Sequence, residues 1–137
     1  MATGTEQGFP IEHDITARQQ YAWSETFFLE KRDGTWYDTT GFTALLQVRE
    51  TPEDETVLLE LSTENGRILT GYSTTVDDVA YEGGVIISAT ASDMDSTLLP
   101  AGMVAGYDLK LIPPSGTEDA EPLAEGRFCV QGAYSRG

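Results

Sequence analysis

One histidine and one cysteine limit the chemistry open to this 137-residue chain. A Ser–His–Asp or Cys–His site needs its imidazole packed inside a pocket. His13 lies in "PIEHDIT", ahead of the first periodic stretch, and reads as part of an exposed lead-in segment. Cys129, in "GRFCVQG", has no partner for an internal disulfide and reads as a small buried hydrophobe. Zinc needs a fuller set of nitrogen and sulfur ligands than one His and one Cys supply. The expectation is a chain without catalytic, cofactor-binding or metal-ligating residues, and so not an enzyme.

Carboxylates are the other candidates. Asp77 with Asp78, Asp93 with Asp95, the run Glu53–Glu55, and Glu118 with Asp119 supply oxygen ligands of the type calcium takes. None has the spacing of an EF-hand loop. A glycosidase also uses two carboxylates, but their separation is a property of the fold. Acidic loops on a β domain read first as solvated surface. Trp36, Tyr37 and Tyr72 could build a sugar-binding platform, although aromatic residues at strand spacing usually form cores and cross-strand pairs. No phosphate-binding glycine loop is present.

With 23 acidic residues against 8 basic ones, the formal charge is −15. Such a surface repels phosphate backbones, and Lys31–Arg32 is the only adjacent basic pair. Nucleic acid is therefore not an expected partner. A basic partner is, or many copies kept apart until they assemble. No apolar run approaches the ~20 residues that span a bilayer. The start "MATGTEQGFPIEHDIT" lacks a basic region followed by an apolar one, so synthesis in the cytoplasm without a signal peptide is expected.

The elements that would position these residues are short strands. In "YAWSETFFLEK", Tyr21, Trp23, Phe27 and Leu29 share one parity, interrupted by Glu25. "RDGT" reads as a tight turn. Ala44, Leu46 and Val48 form a second stripe, then Val57, Leu59 and Leu61, then Tyr107, Leu109 and Leu111. "ENG" reads as a hairpin, "EGG" as the lead into a core strand "VIISAT", and Phe128 with Val130 as one side of the last strand. "ASDMDSTL" breaks the alternation, so a helical turn with a Ser92 cap is expected near residues 91–98. Turn signals about every ten residues describe an all-β sandwich or barrel of about seven to eight strands. Residues 1–14 read as an extended arm and 15–137 as a single domain.

One stretch carries more than a pattern. "FFLEKRDGTWYDTTGFTALLQVRE" resembles small phage tail and baseplate proteins, in which a strand ends in a D-G turn, a corner follows, and the next strand finishes Gln-x-Arg. Here the corner is Asp38, Thr39, Thr40, Gly41 and Phe42, and the strand end is Gln47, Val48 and Arg49. "STENGRI", "VIISATASDMDSTLLPAG", "YDLKLIPPSG" and "LAEGRFCVQGAYSR" follow in the same order, so the likeness covers roughly residues 20–136. The chain resembles the immunoglobulin-like amino-terminal domain of phage baseplate upper proteins. Thr39 stands where that family usually has an apolar residue.

The resemblance implies an immunoglobulin-like antiparallel sandwich without catalytic residues. It also implies a structural role in a tailed-phage virion as a multi-copy tail, baseplate or fibre-attachment component. Capsid decoration and a host-carbohydrate-binding module are the alternatives. Expected partners are other virion proteins and copies of the chain itself, with no nucleic acid and no membrane insertion. Since the sequence ends at Gly137 without a fibre domain, the expectation is a stand-alone component. Arg49 is expected to bond loop carbonyls, or a carboxylate across the sandwich.

Overall fold

The computed structural model describes residues 2–5, 10–31, 33–95, 97–114 and 121–132. Its strands are β1 (Ala2–Thr5), β2 (Ile11–Glu12), β3 (Ile15–Arg18), β4 (Trp23–Glu30), β5 (Thr43–Arg49), β6 (Leu59–Ser62), β7 (Ile68–Val76), β8 (Val79–Ala89), β9 (Val104–Ile112) and β10 (Glu121–Gln131). They form two sheets. Sheet one has the order β1-β4-β8-β7, and sheet two runs β2-β10-β9-β5-β6 with β3 also on β10. The orders β1-β4-β8-β7 and β10-β9-β5 are those of an immunoglobulin sandwich, to which β6 is added beside β5 and β2 and β3 beside β10.

Alternating residues explain why these strands bury what they do. Phe27 and Leu29 on β4, Ile68 on β7, and Val85 and Ile87 on β8 face the core from sheet one. Leu46, Val48, Leu61, Leu109, Leu111 and Phe128 meet them from sheet two. The stripes expected at Ala44–Val48, Tyr107–Leu111 and Phe128–Val130 are all buried. Tyr21 is not part of its stripe, because it precedes β4 and is 40% exposed.

Among the described residues the strands number ten, more than seven to eight, because β1, β2 and β3 are three short additional ones. Within the segment read as an arm, β1 and β2 are paired, one into each sheet. These pairings are parallel, β1 along β4 and β2 and β3 along β10, whereas the other named ladders are antiparallel.

Three turns differ from expectation. "ENG" closes no hairpin: β6 pairs with β5 and β7 with β8, so the turn carries the chain from one sheet to the other. Asn65 makes that possible. Its Oδ1 accepts from Ser62 N at 2.9 Å and Arg67 N at 3.1 Å, and its Nδ2 donates to Glu60 O at 3.1 Å. The tight hairpin of sheet one is instead Val76–Val79, where Asp77 and Asp78 have φ of 50° and 65°, as a two-residue reversal requires. "EGG" lies inside β8. The helical turn is a single 3-10 turn at Asp93–Asp95. Thr90, not Ser92, caps it: Thr90 Oγ1 accepts from Asp93 N at 3.1 Å, and Asp93 Oδ2 accepts from Thr90 N at 2.9 Å.

Candidate functional site

The corner between β4 and β5 locks onto the β7–β8 ladder. Asp38 begins it: Oδ1 accepts from Thr40 N at 2.9 Å and Thr40 Oγ1 at 2.6 Å. The same D-x-T bonding occurs at Asp33 and Thr35. Thr39, between Asp38 and Thr40, is the one fully buried polar side chain among the described residues. Its hydroxyl lies 2.7 Å from Gly83 O and 3.1 Å from Gly84 O, and accepts from Gly71 N at 2.9 Å. The β7–β8 register shifts between Leu69 and Tyr72 and again between Tyr72 and Thr74. Such irregularities leave ladder groups unpaired, and the Thr39 hydroxyl meets them. A polar residue at this position therefore has a structural cause.

Above the corner, the candidate sugar platform is a small second core. Phe28 has the outward parity of β4 yet is fully buried. Trp36, Tyr72 and Tyr81 cover it at centroid distances of 6.0, 6.1 and 5.1 Å. Gly84 makes the room: a Cβ there would lie 2.6 Å from the Phe28 ring. The Trp36 indole N–H donates to Ala80 O at 3.1 Å, and Tyr37 packs on Phe42. These rings are engaged with one another.

His13 is not on an exposed segment. It is half-buried at the seam between the sheets, with Nε2 3.2 Å from Glu25 Oε1 and its ring edge-on to Phe27 at 5.6 Å. The acid that interrupts the β4 stripe therefore meets the chain's single histidine, in the segment between β2 and β3. The Tyr107 hydroxyl donates to His13 O. Burial, followed by the charges of Glu25, Asp14 and Glu125, pushes the Tyr107 phenol well above its ordinary range, which keeps it a proton donor.

His13 also borders an open groove of about 770 Å³ on the outer face of sheet two. Two rows of side chains cross that face. Glu60, Gln47, Asp108, Glu125 and Glu12 are successive cross-strand neighbours. Beside them run Arg49, Gly106 and Arg127, with the glycine leaving bare backbone as the groove floor. Like charges placed opposite one another repel, and the arginine row offsets this. Arg49 Nη2 donates to Gln47 Oε1 at 2.7 Å, and its Nη1 lies 3.8 Å from Asp108 Oδ1. The expected bond across the sandwich is not made, because Val48 points inward and Arg49 therefore points out. Arg49 Nε is buried without an acceptor. The groove offers polar, mixed-charge contacts.

Among the other candidate carboxylates, Asp93, Asp95 and Asp54 have local partners. Asp93 accepts from Arg67 Nε at 2.7 Å, which puts a guanidinium where a cation ligand would have to point. Asp95 accepts from Gln20 Nε2 at 3.2 Å, Asp77 and Asp78 form the hairpin turn, and Asp54 accepts from Thr51 N at 3.3 Å in an exposed loop. Glu118 and Asp119 lie outside the described residues. Among the described residues, no cluster of three or more His, Cys, Asp or Glu side chains could hold a metal ion. Cys129 is partly exposed on the outer face of β10, not buried. Its parity is opposite to that of Phe128 and Val130.

A pH dependence follows from these bonds. Arg67, then the Thr90 backbone N–H, holds the Asp93 carboxyl below its ordinary range, and the Thr40 hydroxyl and N–H do the same for Asp38. The unfolded chain then binds these protons more readily than the folded one. Their contribution is complete above the unfolded carboxylate value of about 4 and is lost as pH falls through the lower folded values. Thermal melts of wild type and Asp93→Asn from neutral to strongly acid pH are expected to differ most near neutrality and to converge in acid. Parallel curves would show that the pair contributes nothing.

No protein-family model matches this chain, and no curated protein matches it.

Proposed function

We propose that this chain is a non-enzymatic structural component of a tailed-phage virion, present in several copies at the tail, baseplate or fibre attachment. One combination carries the reading: an immunoglobulin strand order closed by the Asp38–Phe42 corner, the signature that the resemblance rests on. The side chains that could do chemistry also have fold partners. His13 is held by Glu25, Asp93 by Arg67, and the Trp36 N–H by Ala80. The exterior offers a polar groove, uncovered strand edges and exposed apolar side chains, which suit contact with neighbours. Mutual packing of Trp36, Tyr72 and Tyr81 with Phe28 weighs against a carbohydrate platform.

The test is gold-labelled antibody against this chain, imaged on purified particles by negative stain. Label at the tail or baseplate is the expected result. Label over the head shell would replace it with capsid decoration. Finding the chain only in the lysate, never on particles, would reject both.

A further inference from the structure

The two outer faces of the sandwich differ sharply in charge. Sheet two presents the acidic row and the two arginines described above. Across sheet one, Ser24 is opposite Ser88, Thr26 opposite Ile86, Ile86 opposite Leu69, and Gly84 opposite Tyr72. None of these carries a carboxylate or a basic group. The strand beyond β4, with the sequence ATGT, adds no charged residue type. Yet Leu69 is 61% exposed, and Val76 and Val79 on the adjoining hairpin are 42% and 51% exposed. For a chain of charge −15, the end of this face around Thr26, Ile86 and Leu69 is anomalously neutral, with Glu30, Glu82 and the Asp77–Asp78 tip lying toward the opposite end of β4, β8 and β7.

We propose that the outer face of sheet one docks a second copy of this chain, face to face and centred on Leu69. The inference rests on the multi-copy reading above. Charge selects the occupant. A basic partner gains more by meeting the acidic row of sheet two, whereas another copy, equally negative, can approach closely only where neither surface brings carboxylates. Face packing is favoured over edge pairing because β7 is an irregular edge. Its register shifts twice, and Gly71 N is already taken by Thr39. A twofold axis running across the strands would send the two Asp77–Asp78 tips to opposite ends of the contact.

Sedimentation of the full chain over a concentration series, at physiological and at about 1 M salt, tests this. The expected result is a reversible dimer that salt strengthens, since screening removes repulsion while the apolar contact remains. Leu69→Glu is expected to weaken it about a hundredfold, because a twofold contact carries the change twice. Thr26→Lys, in the same row, should weaken it too. Val104→Glu places the same charge at a site 59% exposed on sheet two and should leave the dimer intact. A monomer at every concentration and salt would overturn the proposal, as would a dimer that Leu69→Glu and Thr26→Lys spare or that Val104→Glu weakens equally. Virion labelling is independent of this result. Labelled particles with a monomeric chain would remove only the docking face, and a dimer never found on particles would remove only the virion role.

Discussion

Thr39→Val is expected to destabilise the chain by about 2–3 kcal/mol while leaving its shape unchanged. Valine fills the volume of threonine, so packing is not the issue. Its methyl group cannot accept from Gly71 N or donate to the Gly83 and Gly84 carbonyls. Gly83 O keeps the bond from Thr39 N at 3.0 Å, so the penalty falls on Gly71 N and Gly84 O. A buried group left without its partner costs about 1–3 kcal/mol. Thr39→Ser keeps the hydroxyl and loses only a methyl, at about 1 kcal/mol. In thermal melts, valine should therefore fall clearly below serine. The reverse order would mean that packing, not hydrogen bonding, governs the corner.

That corner also marks how far the sequence could be read. Periodicity tells which residues share a side of a strand, and it placed the stripes of β5, β9 and β10 correctly. It does not tell what lies above that side. Phe28 points away from the main core as its parity requires, but rings from Trp36, Tyr72 and Tyr81 cover it. Those rings come from distant segments, so no local pattern announces the second core. Glu25 was visible as a break in the β4 stripe. Its partner His13 lies between β2 and β3, on strands that pair into the other sheet, and that meeting has no sequence signal.

Turn chemistry was legible only in part. Asn and Gly at 65 and 66 correctly marked a reversal, but whether two strands then pair or separate depends on where each finds its neighbour. Asp77 and Asp78, weighed as a carboxylate pair, are a turn because both adopt positive φ, which aspartate tolerates. The parallel strands near the amino terminus were the hardest to foresee. They are two to four residues long, and β3 pairs with a strand more than a hundred residues away. Pairing of that kind is fixed by the finished sandwich edge, not by the segment's own alternation. The neutral face of sheet one was hidden for a related reason, since its serines, threonines and Leu69 come from three separate strands.

The amino-terminal seam gives the other large effect. Gly126→Ala is expected to cost about 2–4 kcal/mol and to act first on residues 11–18. A Cβ at Gly126 would meet the His13 carbonyl oxygen, with the carbonyl carbon at 2.8 Å and Asp14 Oδ1 at 3.0 Å. Two of these atoms are backbone, so relief requires moving β2 and β3 away from β10. That movement strains the His13 N bond to Glu125 O at 3.0 Å, the Arg127 N bond to Asp14 Oδ1 at 2.9 Å, and the Tyr107 bond to His13. Gly106 provides the comparison. It lies on the neighbouring strand, where a Cβ would meet only ordinary contacts at 3.8 and 3.9 Å, so Gly106→Ala should be nearly neutral. Amide hydrogen exchange is the measurement. In Gly126→Ala, amides of residues 11–18 should exchange faster while those of β5 remain protected. Uniform acceleration across both segments would show that the seam does not open as a separate unit, and that β2 and β3 are held by the sandwich as firmly as its central strands.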